Sequence, residues 1–386
     1  MFDRLASSHL GALARRFPAV VILGARQVGK TTLARAAFPG LPYLDCEDPA
    51  TAAALREEPR FVLAGRERGG LIVDEAQAVA GVFAAIRGLV DADRARNGRF
   101  VVLGSAQPEL VRGAAESLAG RAAVIELAPL TACEAATGGV PVDWRSLWLK
   151  GGFPDALRGD FRQWWESYLR LFLERDLPRY GVAGDPILAR RLLTMLAHAQ
   201  GGPLNASQFG GSLGVSYHTV QRYLDAFERT FLLRRLLPYF RNVGKRLVKA
   251  PKAYLRDTGL LHHLLNISTL EQLDAHPVRG ASWETFVIED VVRRELLAHP
   301  GSQPFFWRTA AGAEIDLLLE RGDRRIAVEV KTARGDHPRV ARGLEAALDD
   351  VAGERGWIVD QADGIDRLTD RVARAGFGDV SVGTPA

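Results

Sequence analysis

The feature of this sequence that most constrains its fold is the segment 24–31, which runs GARQVGKT. It matches the pattern GxxxxGK[ST] at every fixed position, follows the β-branched run VVIL at 20–23, and precedes a helix-forming segment. A strand, a glycine-containing loop and a helix in this order direct backbone N–H groups and a helix N-terminus at bound phosphates. The pattern predicts an α/β sheet with a phosphate-binding loop.

This loop predicts a site for ATP and Mg²⁺. Gly24 and Gly29 allow a tight turn and a close approach of the backbone to phosphate oxygens. We expect Lys30 to contact the β- and γ-phosphates and the Thr31 hydroxyl to bind Mg²⁺. The predicted nucleotide contacts in the loop are Gly24, Ala25, Arg26, Gln27, Val28, Gly29, Lys30, Thr31 and Thr32.

Further polar residues follow later apolar runs. The run LIV at 71–73 ends in Asp74, expected to orient Mg²⁺, and Glu75, expected to activate the attacking water as general base. Ser105 follows the run 100–103 and is expected beside the γ-phosphate. Arg121 is a candidate arginine finger that acts on a neighbouring subunit or within its own; an ordinary surface arginine is the alternative.

Five short apolar runs in the first third of the chain indicate buried parallel strands. They lie at 19–23, 43–44, 71–73, 100–103 and 123–127. The segment TGGVP at 137–141 indicates a domain boundary. We predict an ATPase domain at 1–140, a helical connector at 141–200, a helix-turn-helix unit with a ribbon at 201–258, and a second α/β domain at 259–386.

Composition excludes several classes of protein. No run approaches the roughly 18 apolar residues of a membrane span, and residues 1–17 lack the apolar centre of a secretory signal. Cys46 and Cys133 are the only cysteines, which excludes a disulfide scaffold and a cysteine-rich zinc site. We therefore expect a cytoplasmic protein with no membrane partner.

The segment 205–230 has the pattern of a helix-turn-helix. Asn205 and Ser216 are predicted N-caps of two helices, with a turn at Gly214 between them. Apolar residues at 220, 224 and 227 share one face of the second helix and are expected to pack on the core. The outward residues predicted to enter a DNA major groove are Tyr217, His218, Gln221 and Arg222.

Basic residues cluster in the next segment, although the formal net charge of the chain is only +4. From 228 to 256 there are nine Lys/Arg against one acid, Glu228, on a predicted two-stranded ribbon at 232–254. Such clustering is expected of a phosphate-binding surface, and a solvated face is the alternative. Lys245, Arg246 and Lys249 are the predicted phosphate contacts of this ribbon.

The last domain contains an acidic set on predicted strands at 304–309, 314–320 and 325–331. Strand alternation places Glu329 and Lys331 on one face, and the short connection 321–324 predicts a hairpin that brings Asp316 near them. Glu284 lies on a predicted helix at 283–297, with Glu289 as a rival on the same helix. Three carboxylates could hold Mg²⁺ while Lys331 positions or activates water. The layout resembles the PD-(D/E)xK nuclease fold.

The motifs of the first domain, with LAPL at 127–130, resemble those of AAA+-type bacterial and archaeal ATPases that continue into a C-terminal domain of unknown function. Further matching phrases are GGFP at 151–154, ERD at 174–176 and KAYLRDTG at 252–259. The resemblance implies a parallel-sheet AAA+ domain, a winged helix in the middle region, and a nuclease-like α/β domain at the end.

Two functions remain open from the sequence. The first is an enzyme that hydrolyses ATP to act on DNA, whose last domain cuts DNA with Mg²⁺ at Glu284, Asp316, Glu329 and Lys331 or grips the strand. The second is an ATP-switched regulatory or partner-remodelling protein, of toxin–antitoxin type for example, whose nuclease-like domain only binds. A homo-oligomer and a protein partner are both compatible with either function.

Overall fold

The computed structural model describes residues 2–66, 69–105, 117–138, 141–182, 185–240, 248–332 and 337–382, with the side chains described to residue 380. Lys245 and Arg246 therefore lie outside the described residues. Within the described ranges no helix has the length and apolar character needed to cross a membrane.

The first part of the chain forms a parallel five-stranded sheet with helices around it. Its strands are β1 (Ala19–Leu23), β2 (Tyr43–Asp45), β3 (Leu71–Asp74), β4 (Phe100–Gly104) and β5 (Ala122–Glu126), in the order β2-β3-β4-β1-β5. Its helices are α1 (Ala6–Arg16), α2 (Lys30–Ala37), α3 (Pro49–Glu57), α4 (Pro59–Ala64) and α5 (Val82–Ala92). The central strands are continuously apolar because helices cover both faces.

The middle of the chain is helical. It contains α6 (Ala132–Ala136), α7 (Trp144–Lys150), α8 (Pro154–Arg158), α9 (Phe161–Leu171) and α10 (Pro186–His198), with a π-helical turn at Phe172–Asp176 and a 3₁₀ turn at Leu177–Tyr180. Its aromatic residues pack together: the ring of Trp165 lies 5.0 Å from that of Phe153 and 5.3 Å from that of Tyr168.

Two capped helices follow, α11 (Ala206–Leu213) and α12 (Tyr217–Arg229). The predicted caps are confirmed, because the Asn205 side chain accepts a hydrogen bond from the Gln208 N–H and the Ser216 side chain accepts one from the Thr219 N–H. Gly214 has a left-handed backbone (φ 70°) between them, as the predicted turn requires. The predicted ribbon is the antiparallel pair β6 (Leu233–Pro238) and β7 (Lys252–Leu255).

The C-terminal part forms a mixed sheet with helices packed on it. Its helices are α13 (Thr258–Leu264), α14 (Leu270–Ala275), α15 (Arg279–Ala298), α16 (His337–Val351) and α17 (Phe377–Val382). Its strands are β8 (Gln303–Arg308), β9 (Glu314–Arg321), β10 (Arg324–Val330), β11 (Arg355–Asp360), β12 (Ile365–Arg367) and β13 (Val372–Gly376). The sheet order is β12-β13-β11-β10-β9-β8-β6-β7. The ribbon strands β6 and β7 and the C-terminal strands therefore form one sheet, which spans the predicted domain boundary after residue 258.

All five predicted strands of the first sheet are present, and so is the predicted hairpin of β9 with β10. The chain is helical close to its end, because α17 extends to residue 382. Phe377 begins α17 and is fully buried against Trp283 and Phe286 of α15, which holds this end of the chain on the core.

The segment 252–259 joins the three parts of the molecule. Arg256 pairs with Glu126 at the end of β5 (2.6 Å) and with Glu289 of α15 (3.2 Å). Asp257 accepts a hydrogen bond from the Gly152 N–H (2.8 Å) and caps α13 through the N–H groups of Gly259 and Leu260. Two phrases that are about 100 residues apart in the chain, 151–154 and 252–259, therefore contact each other directly.

We expect Gly259→Ala to destabilise the protein by about 3 kcal/mol, because its Cβ would lie 2.0 Å from the Lys150 carbonyl oxygen, a backbone atom that cannot move aside. Gly280→Ala is the matched control: both glycines are the second residue of a helix, and nothing lies within 4 Å of a Cβ at Gly280. Chemical denaturation measures the unfolding free energy of both variants. Equal unfolding free energies for the two variants would contradict the packing described here.

Candidate functional site

The polar residues of the first domain meet at one edge of its sheet. β1, β3 and β4 are parallel, and their register places Leu23 beside Gly104 and Val73 beside Val102. Asp74 is the last residue of β3, and the loop 24–31 and Ser105 directly follow the carboxyl ends of β1 and β4. Ligands of open parallel sheets bind at this edge.

Lys30 begins α2 and is buried, with 6% of its surface exposed. Its Nζ donates hydrogen bonds to the Gly24 and Ala25 carbonyl oxygens of its own loop, at 3.1 and 2.9 Å. Burial lowers the pKa of Lys30, while Glu75 and Asp74 raise it. Glycine is required at position 24, because a Cβ there would lie 2.4 Å from the Leu127 carbonyl oxygen.

Asp74 lies at the end of β3 and is 5% exposed. Its Oδ2 accepts hydrogen bonds from the Thr31 hydroxyl (2.6 Å) and the Tyr43 hydroxyl (2.8 Å), and its Oδ1 accepts one from the Glu75 N–H (2.9 Å). Thr31 and Asp74 thus place a hydroxyl and a carboxylate side by side, the oxygen ligands that Mg²⁺ prefers. Tyr43 was not among the sequence-predicted site residues.

Glu75 has a strained backbone next to Asp74. Its φ is 47° in the left-handed region, which a non-glycine residue adopts only when its surroundings impose it. Gln27 in the phosphate loop shares this property, with φ 59°. Burial raises the pKa of Glu75, while Lys30 and a hydrogen bond from Gln77 lower it. A carboxylate with a raised pKa is suited to accept a proton near neutral pH.

Ser105 and Arg26 are two further polar residues at the phosphate loop. Ser105 is 4% exposed, and within the described ranges its hydroxyl has no hydrogen-bond partner. Arg26 of the phosphate loop pairs with Asp176 (2.9 Å) and with Glu47 (3.2 Å). Asp176 belongs to the ERD phrase of the middle region, so this ion pair links the loop to the helical connector.

A cleft of about 380 Å³ opens beside the loop. Its lining includes Phe2, Arg4, Gly29, Thr32, Ala36 and Pro154. Arg4 anchors the loop from outside: its guanidinium donates to the Val28 carbonyl (3.0 Å) and the Ala128 carbonyl (2.5 Å) and pairs with Glu134 (3.1 Å). Arg4 was not predicted, because no local motif indicates that residues 2–4 return to the loop.

Arg121 lies at the opposite edge of the sheet from the phosphate loop. Ala122 pairs with Ala19 at the start of β1, whereas the loop follows Leu23 at its end. Arg121 makes a two-point ion pair with Asp91 of α5, at 2.8 and 3.0 Å. Five strand residues separate the two edges, roughly 15 Å. The expectation that Arg121 could act within its own subunit is therefore wrong; action on a neighbouring subunit stays a prediction.

The outward residues of α12 lie as expected. Tyr217 is 47% exposed, His218 and Arg222 are exposed, and Val220 on the opposite face is fully buried. Arg222 donates to the Gly181 carbonyl at 2.5 Å, and Gln221 donates to the Tyr217 hydroxyl at 3.0 Å. Lys249 is exposed.

Fewer basic side chains of the segment 228–256 face solvent than its sequence indicates. Arg234 and Arg256 both pair with the buried Glu289, and Arg235 pairs with Asp225 and Glu228. Lys252 is buried as well. Arg234, Lys252 and Arg256 therefore face the interior, and Arg235 is held in a surface ion pair, so the interpretation of the whole segment as one phosphate-binding face is wrong.

The predicted acidic set of the last domain does converge. Leu317 pairs with Val328, which places Asp316 opposite Glu329 on the β9–β10 hairpin. Asp316 Oδ2 accepts a hydrogen bond from the Val330 N–H (2.9 Å), and Lys331 Nζ lies 2.5 Å from Glu329 Oε1. Burial raises the pKa of Asp316, and the charges of Glu329 and Glu284 raise it further.

Glu284, not its rival Glu289, belongs to this cluster. Glu284 accepts a hydrogen bond from the Tyr254 hydroxyl (2.6 Å), while Glu289 is surrounded by Arg234, Arg256 and Arg293. The predicted magnesium site at Glu284, Asp316 and Glu329 is not borne out: the described part of the chain contains no group of three acidic, histidine or cysteine side chains arranged to hold a metal. Lys252, which was not predicted there, lies among these carboxylates.

Three protein families match successive parts of the chain. An AAA domain matches residues 16–136, a domain of unknown function (DUF8612) matches 142–271, and a second domain of unknown function (DUF4143) matches 279–376. The chain therefore contains an AAA domain fused to a C-terminal DUF4143 domain. The uncharacterized proteins Mb2031c of Mycobacterium bovis and Rv2008c of Mycobacterium tuberculosis are each 40% identical over 355 residues, which is 90% of this chain and 77% of the relative.

Solved structures resemble the chain more distantly. The Walker-type ATPase PABY2304 of Pyrococcus abyssi is 18% identical with a TM-score of 0.46, over 69% of this chain and 96% of that one. The RuvB Holliday junction branch migration motor of Thermotoga maritima is 17% identical with a TM-score of 0.32, over 61% of this chain and 90% of that one.

Proposed function

The chain belongs to the protein family of Rv2008c from Mycobacterium tuberculosis, and we propose that its N-terminal AAA domain binds ATP with Mg²⁺ and hydrolyses it. The observation that carries this proposal is the hydrogen bond from Thr31 to Asp74 beside the buried Lys30, with Glu75 next in the chain. These four side chains have the chemistry that phosphoryl transfer to water needs.

The residues present fit ATP and Mg²⁺. The loop's N–H groups and the N-terminus of α2 attract phosphates, and the Ser105 hydroxyl, which has no partner among the described residues, supplies one more buried donor. Thr31 and Asp74 are the oxygen ligands that would hold Mg²⁺, which neutralises phosphate charge when bound. The cleft lined by Phe2, Arg4 and Pro154 has the volume to accommodate the nucleoside.

Glu75 is the proposed general base. Its carboxylate accepts a proton from water, the water oxygen forms a bond to the γ-phosphorus, and the bond to the β–γ bridging oxygen breaks. The products are ADP and inorganic phosphate. Lys30 stabilises the charge that develops on the γ-phosphate oxygens. The strained backbone at Glu75 fixes the direction of this side chain.

The raised pKa of Glu75 predicts a pH dependence. A protonated Glu75 cannot accept a proton, so the single-turnover hydrolysis rate should decline as pH falls through its pKa. Because burial raises this pKa, the midpoint should lie above the ordinary glutamate value of about 4.3. Rates measured with enzyme in excess of ATP give this midpoint. A rate that stays constant down to about pH 4.3 in folded protein would contradict a buried base.

A second proposal concerns DNA. The exposed residues of α12, with Arg229 and Lys249 exposed nearby in the chain, favour a contact with nucleic acid through a winged-helix arrangement of α11, α12 and the β6–β7 ribbon. Ion pairs engage four basic residues of this segment, three of them in the interior, so the remaining contacts are few. We propose sequence-independent phosphate contacts by Lys245, Arg246 and Lys249.

Replacing Lys245, Arg246 and Lys249 together by alanine should flatten the slope of log affinity against log salt by about 2–3, because each phosphate contact contributes roughly 0.9. Fluorescence anisotropy with a mixed-sequence duplex measures the slope. A control triple, Arg16→Ala, Arg56→Ala and Arg60→Ala, removes equal charge from exposed positions of the first domain. This control should keep the wild-type slope. An unchanged slope in the test triple would mean that the ribbon does not face DNA.

A further inference from the structure

The buried lysine Lys252 lies at the centre of the C-terminal carboxylate cluster. Its Nζ is 2.7 Å from Glu314 Oε1, 3.2 Å from Glu284 Oε1 and 3.9 Å from Asp316 Oδ1. The three carboxylates come from α15 and β9, and the lysine comes from β7, so one ammonium group joins three elements. Lys252 is 5% exposed, which leaves it no alternative solvent position without a movement of β7.

One oxygen of each of the carboxylates of Glu284, Asp316 and Glu329 already has a donor, whereas Glu329 Oε2 is buried without a partner among the described residues. Glu284 Oε1 accepts from the Tyr254 hydroxyl at 2.6 Å, besides its contact with Lys252. Asp316 Oδ2 accepts from the Val330 N–H at 2.9 Å, and Glu329 Oε1 accepts from Lys331 Nζ at 2.5 Å. A metal ion must compete with these hydrogen bonds and with the repulsion of a fixed positive charge.

We infer that Lys252 is a built-in cation that takes the place of a divalent metal in this cluster. The ammonium group supplies the positive charge that buried carboxylates need: it contacts oxygens of Glu284 on α15 and Glu314 on β9 and lies 3.9 Å from Asp316 Oδ1. The carboxylates of the nuclease-like residue set thereby form ion pairs that join β7 to β9 and α15. Metal-dependent cleavage at Asp316 is therefore not expected.

Titration of the nucleotide-free full chain with Mn²⁺ tests this inference. Asp316→Asn removes one carboxylate of the cluster and leaves the Thr31–Asp74 site intact, so any difference between its isotherm and that of wild type reports the cluster alone. We expect the two isotherms to coincide. Mn²⁺ binding by wild type that Asp316→Asn removes would overturn the inference, and so would Asp316-dependent nicking of plasmid DNA in Mn²⁺.

Lys252→Met supplies the converse test, with Lys252→Arg as the charge-retaining control. The methionine variant should gain one Mn²⁺ site that the added Asp316→Asn change removes, whereas the arginine variant should gain none. A folded Lys252→Met protein without a new site would overturn the inference, because the lysine would not be what excludes the ion. If Lys252→Met does not fold, the comparison of wild type with Asp316→Asn still decides the question.

Discussion

Replacing Lys30 by alanine should lower the affinity for ATP at least about 100-fold. Lys30 is the buried cation of the phosphate loop, and removal of one partner from a buried charge pair costs roughly 2–5 kcal/mol. Among the described residues its Nζ donates only to two loop carbonyls, so the loop loses few internal contacts when the side chain is removed. Isothermal titration with ATP and Mg²⁺ measures the affinity.

Lys150→Ala is the control for this variant. Lys150 ends α7 and is not among the residues that line the cleft beside the phosphate loop, so its substitution should leave ATP affinity unchanged. An affinity in the Lys30→Ala protein equal to that of wild type would show that ATP, if bound at all, binds elsewhere.

Glu75→Gln should bind ATP nearly as wild type does and hydrolyse it about 10²–10⁴-fold more slowly. Glutamine keeps the size and the hydrogen-bonding capacity of the side chain but cannot accept the proton of the attacking water. The Asp74 carboxylate next to it remains available for Mg²⁺, and its bond with Thr31 is unaffected by the change. Single-turnover hydrolysis with protein in excess measures the effect on chemistry alone.

Glu57→Gln is the matched control, because Glu57 is an exposed glutamate at the end of α3. Its rate should equal that of wild type. Equal rates for the Glu75→Gln protein and wild type would mean that another group, or no group, acts as the base.

The nucleotide site was predictable because its determinants are local. The strand, the loop and the helix at 19–37 follow one another in one continuous segment of the chain. β3 ends at Asp74, as the run LIVDE indicates. Parallel strands end at a common edge, so the meeting of Asp74 and Thr31 follows from the fold class. Arg4 was not predictable, since its contact with the Val28 carbonyl depends on tertiary structure alone.

The C-terminal cluster shows the limit of strand alternation. Alternation and a short turn correctly placed Asp316 opposite Glu329, because both rules act within one hairpin. They could not place Lys252, which reaches the cluster through the strand order β9-β8-β6-β7 and a chain separation of more than 60 residues. The hairpin therefore predicted Asp316 beside Glu329 and Lys331, but not the additional positive charge of Lys252.

The prediction of one phosphate-binding surface at 228–256 was wrong for a related reason. Charge counted along the chain does not reveal which side chains face inward, and Arg234 and Arg256 face Glu289, a buried carboxylate 30 or more residues later. Their positive charge lowers the pKa of Glu289 although burial raises it. Buried arginines of this kind indicate how the parts of the molecule are joined, and Arg256 extends that network to Glu126 beside the phosphate loop.

Release of inorganic phosphate from ATP by the purified full chain tests the central claim most directly, with the Lys30→Ala and Glu75→Gln proteins assayed in parallel. We predict release that requires Mg²⁺, stops when EDTA is added, and is lost in both variants. Release that continues undiminished in both variants, or a wild-type protein that binds ATP and releases no phosphate with Mg²⁺ present, would contradict ATP hydrolysis at this site.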